Sequence, residues 1–153
     1  MTPEIRSKIL QILDAHRIMT IATLRSDGWP QATTVGYVND GLEIYFMCGR
    51  DSQKARNLAR DDRVSATIDH DTPDPMAIIG LSLAARALPV TDAAAIRRTM
   101  FELLPKKYPE YQGMMDTVKL DEVAVFRLAP VVFSVLDYSK GFGHADLVPA
   151  DAG

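Results

Sequence analysis

Cysteine is nearly absent from this chain. Cys48 stands alone among 153 residues, so no internal disulfide can close, which fits a reducing compartment. Tryptophan is as scarce, with Trp29 the one copy. Basic residues do not predominate: 17 Lys and Arg stand against 20 Asp and Glu, a net charge of −3. That balance gives no electrostatic pull toward nucleic acid or an anionic membrane. No apolar run reaches the length of a membrane span, and no basic-then-apolar leader opens the chain. The expectation is a soluble cytoplasmic protein with neither nucleic-acid nor membrane partners. His16, His70 and His144 match no zinc spacing, so no metal centre is expected. Neither a G-x-S-x-G elbow nor paired catalytic carboxylates occur, and no catalytic residue is assigned. Lone Cys48, at a strand end, reads as a small buried hydrophobe more readily than as a reactive thiol.

What is present is a globular composition, 47% apolar and 24% charged, enough for one domain over residues 1–153. Thr2-Pro3-Glu4 starts a helix, with a cap, a first-turn proline and an acid at the positive end. Ile5, Ile9, Ile12 and Leu13 then share one face, so residues 1–16 form an N-terminal helix. Strands are expected over "RIMTIATL", "PQATTVGYV" and the alternating Leu42–Met47, joined at "SDG" and "NDG". A short helix runs from Ser52 to about Arg60, and "RVSATID" is a fourth strand. "HDTPDP" is a loop, and "AIIGLSLAARALPV" a long strand in which Gly80 marks a bend or bulge. Thr91-Asp92 starts a helix that aligns Ile96, Met100, Leu103 and Leu104. "PKKYPEYQGMMDT" is an irregular linker, with "PKKYPEY" a surface loop or a lid. "EVAVFRLA" and "VVFSVLDY" are the last two strands, and 137–153 is a small polar tail. Strands outnumber helices without alternating with them. The fold class is therefore mainly β, an antiparallel barrel of six or seven strands with flanking helices.

The stretch "GRDSQKARNL" carries the most pointed chemistry. Ser52 caps a helix whose first turn holds Lys54, with Arg50 just upstream. A cation there opposes the helix dipole by about 0.3–1 kcal/mol unless an anion is bound. A phosphate is the natural partner for such a turn. On local chemistry alone, a solvated basic helix start is the commoner explanation.

The ordered series "ATLRSDGWPQATTV", the aromatic strand, "SQKARNL" and "DDRVSATID" resembles the FMN-binding split barrels of the pyridoxamine 5′-phosphate oxidase-like superfamily. The resemblance covers Ile18 to Asp69 well, and "GLSLAARALPVTD" and "VFRLAP" more weakly. It implies a homodimer with FMN in clefts between subunits. It implies that Thr33, Thr34 and Val35 line the flavin and that Met47 and Cys48 lie near its ring or ribityl chain. Ser52, Gln53 and Lys54 would hold the phosphate, with Arg50 and Asn57 nearby, and Gly80 and Leu81 would pass the ring. The basic and aromatic C-terminal motif of the true oxidase is missing, so vitamin B6 oxidation is not expected. Tyr138, Lys140 and Phe142 would serve the cleft instead. The implied activity is an FMN-dependent reductase or oxidase of a small molecule, fed by NAD(P)H. The alternatives are a flavin or haem carrier, with His144 a conceivable haem ligand, and a deazaflavin-dependent reductase.

Overall fold

The computed structural model describes residues 1–111, 113 and 117–150. Helix α1 (Pro3–Ala15) is capped by Thr2, whose hydroxyl accepts from Ile5 N. It precedes three antiparallel strands: β1 (Ile18–Leu24), β2 (Pro30–Asp40) and β3 (Glu43–Gly49). Helix α2 (Gln53–Arg60) leads into β4 (Arg63–Ile68) and β5 (Ile79–Pro89). Then α3 (Ala93–Arg98) continues through a π-helical turn, Thr99–Leu103, into α4 (Leu104–Lys107). A long β6 (Val123–Asp137) and a short β7 (Ala145–Pro149) end the fold. The sheet order is β3-β2-β1-β4-β5-β6-β7, and an extra β3–β6 pairing closes the first six strands into a barrel. Among the described residues, no helix is long and apolar enough to cross a membrane.

Alternation decides which side chains fill the barrel. Met19 and Ile21, Ile44 and Phe46, Val64, Ala66 and Ile68, and Leu81 and Leu83 point inward and form one core. Helix α1 stoppers one end with Ile9, Ile12 and Leu13. The α3–α4 arm lies outside the β2–β3 wall, where Leu103 and Tyr108 pack on Val38 and Tyr45.

Four sequence expectations need correction. The last two strands are one, because β6 runs unbroken through Pro130. Ala84 pairs with Val132 but Ala85 with Pro130, so Val131 is an extra residue that bulges out. Gly80 is not the bulge. It pairs regularly with Leu136, at a place where a Cβ would come within 3.3 Å of Asp69 Cβ and Ile68 O. The polar tail holds the seventh strand. "PKKYPEY" is no surface loop: it includes α4 and the buried Tyr108, whose hydroxyl donates to Arg17 O. Of the linker's remainder, Gln112 and residues 114–116 lie outside the described residues.

Candidate functional site

β2 and β3 pair only from Tyr37↔Phe46 to Asp40↔Glu43. Before Tyr37, β2 pairs with β1 alone, and after Phe46, β3 pairs with β6 alone. The wall therefore opens into a slot. Thr33, Thr34 and Val35 lie on one lip and Met47 and Cys48 on the other. Thr33 and Val35 share the inward parity of Tyr37, while Thr34 faces out. Thr33 Oγ1 is buried without a hydrogen-bond partner among the described residues. Met47 turns to the arm and packs near Met100 and Val125. Cys48, of the opposite parity, packs on the main core.

Helix α2 starts at the foot of this slot. Ser52 Oγ accepts from Ala55 N at 3.2 Å, and Ser52 O accepts from Arg56 N at 3.1 Å. The N–H groups of Gln53 and Lys54 are left without an acceptor among the described residues. Lys54 is half-buried and makes no ion pair or hydrogen bond among the described residues. Arg50 is already committed. Its guanidinium donates to Asp121 O at 2.7 Å and Val123 O at 3.1 Å, which fixes the lead-in to β6.

Asn57 is fully buried. Its amide donates to Thr23 Oγ1 at 3.0 Å and Gln31 Oε1 at 3.3 Å, and its carbonyl accepts from Gln53 Nε2 at 2.9 Å. It is a post that pins α2 to the β1–β2 hairpin. Gln53 also borders a polar cleft of about 260 Å³ with Arg25, Ser26 and Gln31. Sequence reasoning missed Arg25 and Gln31. The available signal was parity, because Thr23 and Gln31 put polar side chains at inward positions near one barrel end.

Gly80, Leu81, Tyr138, Lys140 and Phe142 lie elsewhere. Ile68 pairs with Leu81, whereas the α2 end of β4 pairs Arg63 with Arg86. The length of β4, about 3.3 Å per residue, separates the two ends. Leu81 is buried in the core. Lys140 pairs with Asp146 at 2.9 Å. Tyr138 meets Phe142 edge-on at 5.5 Å, and Phe142 is 82% exposed. His144 Nε2 lies 3.2 Å from Asp146 Oδ1. One chain thus gathers Thr33, Val35, Met47 and Ser52 to Lys54 around the slot, and holds the second group at the other end.

Outside the slot, where the β2–β3 ladder ends, lies an apolar cleft of about 380 Å³. Ile18, Gly36, Tyr45, Met47, Leu104 and Tyr108 are among its walls. Behind it Lys107 Nζ donates to Leu13 O at 2.6 Å and Asn39 Oδ1 at 2.7 Å, 3.9 Å above the Tyr37 ring. Burial lowers this amine to about 8.

The family model for pyridoxamine 5′-phosphate oxidase matches residues 5–135. General stress protein 26 of Bacillus subtilis (strain 168) is 28% identical over 68 residues, 44% of this chain and 48% of that protein. The match thus spans about half the length of this curated relative. A conserved hypothetical protein of Mycobacterium tuberculosis has a similar structure, at 25% identity and a TM-score of 0.78, covering 100% of this chain and 95% of that one. A haem binding protein from Mycobacterium smegmatis has the same fold at 24% identity and a TM-score of 0.77, covering 97% of this chain and 59% of its own.

Proposed function

The chain belongs to the pyridoxamine 5′-phosphate oxidase family, and from that premise we propose that it binds FMN and acts as an oxidoreductase on a small molecule. The observation that carries the reading is Lys54, a half-buried cation with no counter-charge among the described residues, at the open N-terminus of α2. The donor set suits a phosphate-tailed flavin: one free ammonium, two unpaired N–H groups and, further up the slot, the orphaned Thr33 hydroxyl. When bound, the flavin supplies two-electron hydride chemistry. Lys54 and the N–H groups of Gln53 and Lys54 would hold the phosphate. Thr33 Oγ1 would be free to donate to a polar atom of the cofactor. Val35 and Met47 would exclude water from the apolar side.

The reading includes a homodimer, in which Gly80, Tyr138, Lys140 and Phe142 of a second copy reach the slot that one chain leaves open. NAD(P)H is the proposed electron donor. Vitamin B6 is not the proposed substrate, because β6 and the tail lack the arginine and tryptophan pattern that grips a substrate phosphate. Purified protein should not turn over pyridoxamine 5′-phosphate, as followed by peroxide release.

The test compares FMN with riboflavin, which lacks the phosphate. A hydrogen bond to a charged group contributes about 1.5–3 kcal/mol. Lys54→Ala should therefore weaken FMN binding by roughly 10- to 150-fold and leave riboflavin unchanged, as read by flavin fluorescence. Equal losses for both ligands, or none, return Lys54 to a surface charge. A Soret band in the purified protein, with no flavin uptake, sinks the FMN assignment.

A further inference from the structure

The fold joins two histidines that stand 54 positions apart. His16 is the C-cap residue of α1, and His70 follows β4. His16 Nδ1 lies 2.8 Å from Ile12 O, a last-turn carbonyl that can only accept. That nitrogen therefore carries the proton and donates. Nε2 keeps its lone pair and faces His70 Nδ1 at 3.2 Å. The ring centres are 5.3 Å apart and the planes 29° from parallel.

A metal-ligating imidazole is held in this way, with one ring N–H on a carbonyl and the other nitrogen turned outward. The spacing also agrees. Two nitrogens on a tetrahedral Zn²⁺, each at about 2.0–2.1 Å, stand about 3.3–3.4 Å from one another. Small rotations of two side chains separate the observed pair from that geometry.

We propose that His16 and His70 bind a divalent cation of the zinc class and so tether the end of α1 to the segment after β4. Among the described residues, no group of three or more His, Cys, Asp and Glu side chains is placed to hold a metal ion, so the two histidines are the protein ligands of the proposed site. Water takes the remaining coordination positions, which makes the site open. When both rings are neutral, His16 Nε2 accepts from His70 Nδ1–H, and a bound cation would take those two nitrogens with the His70 proton on its Nε2. The site shares no residue with the slot and does not depend on the FMN reading.

The experiment adds ZnCl₂ to chelator-treated, full-length protein and follows both thermal unfolding and zinc uptake by equilibrium dialysis. Expected are close to one zinc per chain and a midpoint raised by about 2–4 °C or more. His16→Gln and His70→Gln should each abolish both effects, and His144→Gln should abolish neither. Zinc uptake that survives both substitutions, or no uptake by folded wild type, overturns the proposal and leaves only an imidazole–imidazole hydrogen bond. Should His16→Gln fail to fold, the exposed His70→Gln decides alone.

Discussion

Lys107 is charged where burial works against charge, and that sets a pH dependence. Its folded value is about 8 against an ordinary 10.5, with desolvation the largest cause. Between those values the unfolded chain holds a proton at this amine that the folded chain lacks. Stability should therefore rise with pH across that window, with the full penalty present below about 8. Burial raises Tyr45 to about 12 and Tyr37 upward as well. Their contribution has the opposite sign, so stability falls again as pH passes from about 10 toward 12. Urea unfolding between about pH 7.5 and 10 should show the rise in wild type and lose it in Lys107→Met. Asn57 provides a second test at this scale. Asn57→Ala leaves Thr23, Gln31 and Gln53 short of buried partners, at a cost of about 2–4 kcal/mol. The ratio of FMN to riboflavin affinity should not change, which separates a structural post from a phosphate contact. The Ser52 cap and the place of Lys54 in the first turn of α2 were legible because capping is local. The commitment of Arg50 was not, since its acceptors lie 71 and 73 positions away.

The elements were mostly legible from period-two alternation, and β6 shows why one was misread. Phe126 and Leu128 face inward at even positions, while Phe133 and Val135 do so at odd ones. A change of parity within an apolar run signals either two strands or one strand with an extra residue. Pro130 favoured the first reading, and pairing along β5 selects the second, with Val131 as the extra residue. The helix of the arm was legible from its start at Thr91-Asp92, but its docking through Tyr108 was not, because that contact is non-local: Tyr108 Oη donates to Arg17 O and accepts from Tyr37 N. That contact makes Gly36 a test of how the arm docks. A Cβ at Gly36 would come within 2.9 Å of Tyr108 Oη, which those hydrogen bonds hold in place. Gly36→Ala should cost about 1–3 kcal/mol, despite the general gain of alanine over glycine in a strand. Tyr108→Phe in the same chain removes the clashing oxygen. The two substitutions should cost less together than the sum of each alone, by denaturant unfolding of all four variants.

At the scale of the whole molecule, the division of the candidate site between two barrel ends is the main argument for a second copy. Within one chain Tyr138 and Phe142 follow the Ile79–Asp137 end of the β5–β6 ladder, whereas α2 leads into β4 at Arg63, which pairs with Arg86 near the other end of β5. The two-fold dimer proposed above would set one copy's far end against the other's slot, as a symmetric interface can relate unlike ends. The surface is consistent with such burial. Ile18, Val131, Phe142 and Leu147 are all more than half exposed, so apolar surface is available for burial against a second copy. The expected assembly is a dimer at micromolar concentration with more than about 2,000 Å² of total interface, as read by sedimentation. Phe142→Asp tests the link between assembly and cofactor. It should weaken the dimer and lower the affinities for FMN and riboflavin together, since the proposed role of Phe142 is on the ring side of the cleft and not at the phosphate. Lys54→Ala should leave the dimer intact and affect FMN alone. A stable wild-type monomer that binds FMN as tightly as Phe142→Asp does would show that one slot suffices and that the far-end residues have no part in the site.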